Sequence, residues 1–73
     1  MTDLGLYLSK KSVNRSDVSR KTGISKTRLS ELSNNKRTKL RASELYLIGL
    51  AIDVNPCEVL NVVCEDLKLK KVD

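Results

Sequence analysis

Residues 15–35 read RSDVSRKTGISKTRLSELSNN, and this stretch decides the fold. Asn14 and Ser25 each precede a short amphipathic pattern, where a side-chain oxygen can bond the N–H groups of a helix start. Gly23 lies between the two patterns and permits the positive φ that often follows a helix end. The stretch therefore predicts two helices, over about residues 15–21 and 26–33, joined by a tight turn. The apolar positions around this turn are Val18, Ile24, Leu29 and Leu32.

The segments on either side of this stretch predict a helix and a loop. Thr2 can cap a helix that runs to about Lys11, although Gly5 lowers the helix propensity there by about 1 kcal/mol relative to Ala. Residues 34–39 predict a loop, in which Asn35 is the residue best suited to a left-handed helix end. The residues of the first helix that we expect to face inward are Leu4, Tyr7 and Leu8.

Two more helices are predicted after this loop. The first, from Ala42 or Ser43 to Ile52, is apolar on nearly all sides, so it either forms the centre of the core or is partly covered by a second subunit. Asn55-Pro56-Cys57-Glu58 is a strong helix start, because it combines a cap, a proline at the first position and an acid at the third. The residues that this last helix is expected to bury are Val59, Leu60, Val63 and Leu67.

The chain as a whole predicts an all-α fold. Five helices and no strand are expected in its 73 residues, and no internal repeat or linker divides them. We therefore expect a single domain over residues 1–67 and a short C-terminal tail over residues 68–73.

The charges are segregated along the chain, whose net charge is +5. Residues 10–41 hold eleven Lys or Arg against two acids, which gives +9. Residues 42–67 hold five acids and no base, which gives −5. Because the basic half coincides with the two-helix stretch, the pattern favours binding of a polyanion over a uniformly charged, solvated surface.

The composition argues against several other classes of protein. There is no run of about 18 apolar residues, no signal-peptide pattern and no basic helix with Trp or Phe, so we expect a cytoplasmic protein that does not bind membranes. The chain has no His, no Gly-rich phosphate loop and no nucleophile beside a general base, so we do not expect an enzyme. Two Cys alone provide too few ligands for zinc, and we expect neither a metal nor a cofactor.

The two cysteines lie in the last predicted helix. Cys57 and Cys64 are separated by about 10.5 Å of helical rise, which is too far for a disulfide between them. We expect buried thiols that act as small apolar residues. The alternative is a bridge between two copies of the chain, which an intracellular compartment disfavours.

Over roughly residues 4–64, the chain resembles the lambda-repressor and Cro-like family of helix-turn-helix domains, the XRE family. The resemblance rests on the helix order, on the core RSDVSRKTGISKTRLSELSNNKR, and on the Leu-rich helix followed by DVNPCEVL. It implies a compact five-helix domain in which helices 2 and 3 form the helix-turn-helix, and a small transcriptional regulator that binds DNA sequence-specifically and that we expect to be a repressor. The chain departs from the family by having Arg15 for Gln, Ser19 for Ala, Ser33 for Glu and Asn35 for Gly.

A helix-turn-helix places its second helix in the major groove, with the first turn nearest the base edges. The predicted base contacts are Lys26, Thr27, Arg28 and Ser30, and an arginine can donate to guanine O6 and N7 together. Glu31 either accepts from cytosine N4 or pairs with Arg28. The predicted phosphate contacts lie at helix starts and in the loop after the third helix: Arg15, Ser25, Asn35, Lys36, Arg37 and Lys39.

One such domain reads only a few base pairs, so we expect a homodimer that binds two half-sites of double-stranded DNA about 34 Å apart. Its predicted interface is Leu47, Leu50, Val62 and Val63, and the alternative is that these residues are buried in the monomer. A protein-interaction module, such as an antitoxin or a coactivator, is a second reading, with the acidic C-terminal half as its docking surface. RNA binding ranks third, since Tyr7 and Tyr46 are the only aromatic side chains available for base stacking.

Overall fold

Side-chain caps determine where most of the helices begin. The computed structural model describes residues 1–71 and contains α1 (Asp3–Lys10), α2 (Arg15–Thr22), α3 (Lys26–Asn34), α4 (Ala42–Ala51) and α5 (Pro56–Val63). Residues 1–71 contain no strand, so the all-α prediction, with α2 and α3 as the helix-turn-helix, is confirmed. The side chains that accept hydrogen bonds from first-turn N–H groups are those of Thr2, Asn14, Ser25 and Asn55.

The core lies between two sets of packed helices. α1 packs against α3 and α5, while α4 packs against α2 and α5. Leu29, Ile48 and Val59 are at most 1% exposed and form the centre. Burial of each such side chain contributes about 1.5–3 kcal/mol. The remaining buried apolar residues are Leu4, Leu8, Val18, Leu32 and Leu45.

The start of α1 closes the end of α3. The N–H of Thr2 donates to the Ser33 carbonyl (2.8 Å), and its hydroxyl donates to the Leu32 carbonyl (2.7 Å). The buried Ser33 hydroxyl donates in turn to the Leu29 carbonyl (2.8 Å). Gly5 makes this approach possible, because a Cβ at that position would lie 2.1 Å from the Ser33 carbonyl oxygen. The orientation of α3 therefore depends on α1.

Two helices end in left-handed residues other than glycine. Ser12 (φ 54°) follows α1, and Asp53 (φ 58°) follows α4. In both cases the next residue, Val13 or Val54, donates its N–H to a carbonyl five residues earlier and packs its side chain against the core. The combination of a left-handed residue and a following apolar contact is a common helix ending.

The prediction of a left-handed Asn35 is wrong. Asn35 has φ −105° and ψ 109°, which is extended backbone. Its side-chain oxygen accepts from the Arg37 N–H (3.0 Å), and its carbonyl accepts from the Thr38 N–H (3.1 Å). Asn35 therefore starts a side-chain-stabilised turn, and the last carbonyls of α3 are satisfied by Thr2 instead.

Burial near α5 also differs from the prediction. Leu60 is 46% exposed and Leu67 is 75% exposed, because Leu60 faces a groove and the helix ends before Leu67. The groove has a volume of about 590 Å³ and runs between the start of α1, the loop before α4, α4 itself and α5. Cys57 is exposed and Cys64 is half-buried, both as free thiols, so the expected burial of the cysteines is not found.

The described end of the chain is not helical. Residues 68–71 follow α5 without forming a helix, and the predicted tail residues Val72 and Asp73 lie outside the described residues. Within the part of the chain that the structure describes, no helix is both long enough and apolar enough to cross a membrane.

Candidate nucleic-acid interface

The turn between α2 and α3 is fixed by local hydrogen bonds. Gly23 has φ 78°, and its N–H donates to the Ser19 carbonyl (2.9 Å). The Thr22 hydroxyl donates to the Val18 carbonyl (2.7 Å) and accepts from the Ile24 N–H (3.1 Å). These bonds satisfy the backbone of the turn internally, so the angle between the two helices is set before any ligand binds.

One side of α3 is buried and the other is open. Leu29 and Leu32 are at most 3% exposed and anchor the helix to the core. Lys26 and Thr27, which begin the helix, are exposed. The Ser25 hydroxyl accepts from the Arg28 N–H (3.1 Å), which closes the first turn. The start of α3 thus presents a short polar edge to solvent.

Arg15 and Ser30 lie side by side. The Arg15 guanidinium at the start of α2 donates to the Ser30 hydroxyl on α3 (3.1 Å). Arg15 is exposed and Ser30 is partly exposed. Arg15 was expected to contact phosphate and Ser30 to contact a base. The structure brings both residues onto one surface.

The loop between α3 and α4 carries a row of exposed cations. Lys36, Arg37 and Lys39 are exposed, and so is Arg41, which the sequence analysis did not single out. The turn at Asn35 orders the first half of this loop, and the partly buried Leu40 packs against the core. We name residues 35–41 the basic loop.

Arg28 is placed differently from the other expected base contacts. Its Nε and Nη2 donate to the two carboxylate oxygens of Glu44 on α4 (2.9 and 3.0 Å), and Nη2 also donates to the Lys39 carbonyl (2.8 Å). The alternative pairing of Arg28 with Glu31 is therefore not the one formed. The hydrogen bonds from Arg28 hold the pKa of the Glu44 carboxyl at about 2, although burial opposes this.

Sequence reasoning missed Glu44 as a part of this region. Glu44 is 7% exposed, and it also accepts from the Arg41 N–H (2.9 Å), so it caps the start of α4. An acid three residues after a helix-starting residue is a recognised capping signal, and it was the one available clue. Asp17, an acid on α2, pairs with Arg20 at 2.6 Å.

One of three comparisons with known proteins found a match, to a family model. The family model of the Cro/C1-type HTH DNA-binding domain matches residues 4–65, which include all five helices except the first residue of α1. A search of the curated proteins and a search of the solved structures found no match. Because the family model covers most of the chain, this protein belongs to the Cro/C1-type helix-turn-helix DNA-binding domains.

Proposed function

We propose that the protein is a small transcriptional regulator, acting as a repressor in the cytoplasm, that binds double-stranded DNA sequence-specifically with α3 in the major groove. The observation that carries the proposal is the combination of an exposed polar first turn of α3 with a cationic surface on both sides of it. Arg15 contacts α3 at Ser30, and the basic loop contacts it at Arg28, through the Lys39 carbonyl. Residues two apart lie on nearly opposite sides of a helix. An α-helix fits the major groove, and cations beside it neutralise phosphates.

Three side chains at the open edge of α3 suit base contacts. Lys26 can donate to guanine O6 or N7, Thr27 can bond a base or place its methyl group against thymine, and Ser30 is held beside Arg15. Arg28 was expected in this set, but its bonds to Glu44 give it the different role argued below. The proposed phosphate contacts are Arg15, Ser25, Asn35, Lys36, Arg37 and Lys39.

We propose that the regulator acts as a homodimer. Leu47 is 38% exposed and Leu50 is 53% exposed, and the neighbouring Tyr46 extends the same apolar side of α4. Val62 is half-buried, whereas Val63 packs against the core of its own chain and is the weakest member of the predicted interface. Leu50→Lys is expected to shift sedimentation at micromolar concentration from a dimer to the monomer. Leu6→Lys, at an exposed leucine of α1, which does not pack against α4, is the matched control that should stay dimeric.

Selection of binding sites from a random duplex library at near-physiological salt tests the function directly. The expected result is enrichment of an inverted repeat whose half-sites lie about one helical turn apart. Enrichment of a single half-site would support sequence-specific DNA recognition but contradict the proposed homodimer. No enrichment, with binding that disappears as salt rises, would remove sequence-specific recognition.

Two lysine variants separate base contacts from phosphate contacts. Lys39→Ala should weaken binding to all sequences alike and lower the salt slope by about one unit. Lys26→Ala should lose roughly 1–3 kcal/mol at one base position and relax the preference there. Lys70→Ala removes the same charge from the C-terminal tail and should change neither property. Equal behaviour of the Lys26 and Lys39 variants would contradict the base-reading role of Lys26.

A protein-interaction module remains the second candidate function. The observation that favours it is the exposed apolar residue Leu60, which lies at the groove beside the acidic residue Asp66. This candidate predicts weak, unselective DNA binding. The site selection above therefore distinguishes the two functions.

A further inference from the structure

Arg28 lies on α3, the helix that is proposed to enter the DNA groove. Its side chain connects α3 to the basic loop and to α4. We propose that Arg28 and Glu44 form a positioning pair, which fixes the basic loop relative to α3 and does not itself read a base. The inference rests on the proposed DNA binding and deepens it, because the loop carries most of the proposed phosphate contacts.

The hydrogen bonds show how the pair acts on the loop backbone. Arg28 Nη2 donates to the Lys39 carbonyl (2.8 Å), and Glu44 Oε1 accepts from the Arg41 N–H (2.9 Å). The two anchored peptide groups stand on either side of Leu40, whose side chain packs against the core. The end of the loop is therefore held at three successive residues, two of them by this one ion pair.

The Arg28–Glu44 ion pair has the geometry of a strong, charge-assisted interaction. Two parallel N–H···O bonds of 2.9 and 3.0 Å join the guanidinium to the carboxylate, and this bidentate arrangement fixes orientation as well as distance. The Glu44 side chain is only 10% exposed and that of Arg28 is 28% exposed, so solvent screens the pair less than a surface pair. A lysine would keep the charge but lose the planar fork.

The same geometry argues against base reading by Arg28. Guanine recognition by arginine uses two donors directed at O6 and N7, whereas Nε and Nη2 of Arg28 are already bonded within the protein. The adjacent carboxylate also compensates the positive charge of the guanidinium, which reduces its attraction for phosphate. Lys26 and the cations of the basic loop, by contrast, are exposed.

Two conservative variants give opposite results under the two roles. If Arg28 positions the loop, Glu44→Gln and Arg28→Lys should each weaken binding roughly tenfold for all sequences alike, and the double variant should lose little more than either one. If Arg28 reads a base, Arg28→Lys should change the preference at one position. Glu44→Gln would then release the guanidinium and preserve or strengthen binding.

A measurement without DNA tests the pair independently of the proposed function. Amide hydrogen exchange at Arg41 should be about tenfold faster or more in both variants. Glu44→Gln removes the charge of the acceptor, and Arg28→Lys removes the planar fork that orients it. Exchange at Ile48, in the centre of α4, should stay slow and so report that the fold is intact. Arg20→Lys, which alters the exposed Arg20–Asp17 pair, is the matched control and should leave both amides and DNA binding unchanged.

The outcomes separate the two proposals. Faster exchange at Arg41 in a protein that selects no DNA sequence would support the positioning role of the pair and contradict the proposed DNA-binding function. Selective DNA binding with unchanged exchange at Arg41, or a changed base preference in Arg28→Lys, would overturn the positioning role. If Glu44→Gln fails to fold, Arg28→Lys decides alone, since its ammonium group can still pair with the carboxylate.

Discussion

The phenol of Tyr7 on α1 donates a hydrogen bond to the carboxylate of Glu58 on α5. Lys11 joins this pair, with its ammonium 3.7 Å from Glu58 and 5.4 Å from the centre of the Tyr7 ring. The three side chains connect the first helix of the domain with the last. The pKa of the Glu58 carboxyl is lowered, first by the bond from Tyr7 and then by the charge of Lys11.

This cluster predicts an unusual titration of Tyr7. Burial, the hydrogen bond to Glu58 and the negative charge of Glu58 raise the pKa of Tyr7 from 10.0 to about 12. Its contribution to stability is complete below pH 10 and is lost as the pH rises through 12. In Tyr46→Phe, where Tyr7 is the one remaining phenol, phenolate absorbance should appear with a midpoint near pH 12. Adding Glu58→Gln should lower the midpoint toward 10, and an unchanged midpoint would contradict the role of Glu58.

Gly5→Ala should destabilise the domain, although alanine is the better helix former by about 1 kcal/mol. The new Cβ would lie 2.1 Å from the Ser33 carbonyl oxygen, so α1 and α3 must move apart and strain the bonds from Thr2. We expect a loss of about 1–3 kcal/mol in the free energy of unfolding, measured by urea denaturation. Ser9→Ala, at an exposed position of α1, is the control and should change stability by less than about 0.5 kcal/mol.

Glycine at the two left-handed helix ends should stabilise the domain. Ser12→Gly and Asp53→Gly are each expected to raise the free energy of unfolding by about 1 kcal/mol, because a side chain at positive φ is strained. Asn35→Gly should lower it, since residue 35 is extended and its side chain accepts from the Arg37 N–H. Thermal melting of the three variants checks the signs, and stabilisation by Asn35→Gly would contradict the structure of the loop.

The Arg28–Glu44 pair should make the stability of the domain depend on pH in the acidic range. The pKa of Glu44 is about 2 in the folded domain, against an ordinary value of 4.5. Its contribution is therefore present above pH 4.5 and is lost as the pH falls through 2, with a linkage limit of about 3 kcal/mol. The stability difference between the wild type and Glu44→Gln should shrink over this window in chemical denaturation. Glu65→Gln, at an exposed acid, should follow the wild type throughout.

Local chemistry explains which parts of the fold could be predicted from the sequence. Asn14, Ser25 and Asn55 mark helix starts because their side chains bond N–H groups two or three residues later. The end of α3 could not be predicted in this way. Its carbonyls are bonded by Thr2, which lies 30 residues before Leu32, so Asn35 was not needed as a left-handed cap.

In the candidate site, too, local features could be predicted from the sequence, but a contact between distant residues could not. The exposure of Lys26 and Thr27 follows from the helical pattern of Leu29 and Leu32, which fixes the opposite face. The partner of Arg28 lies 16 residues away on another helix, and a local pattern offered Glu31 instead. Pairings of this kind depend on how the helices pack, and a single sequence contains no signal that identifies them.

The docking of α1 on the end of α3 has an electrostatic consequence. Peptide dipoles give a helix about half a positive charge at its start and half a negative charge at its end. The N–H and hydroxyl of Thr2 meet the last carbonyls of α3, so the positive pole of α1 is joined to the negative pole of α3. The pole that would repel a phosphate chain is thereby neutralised inside the domain. The positive pole at Ser25 remains at the surface, where it adds to the attraction exerted by the cations around it.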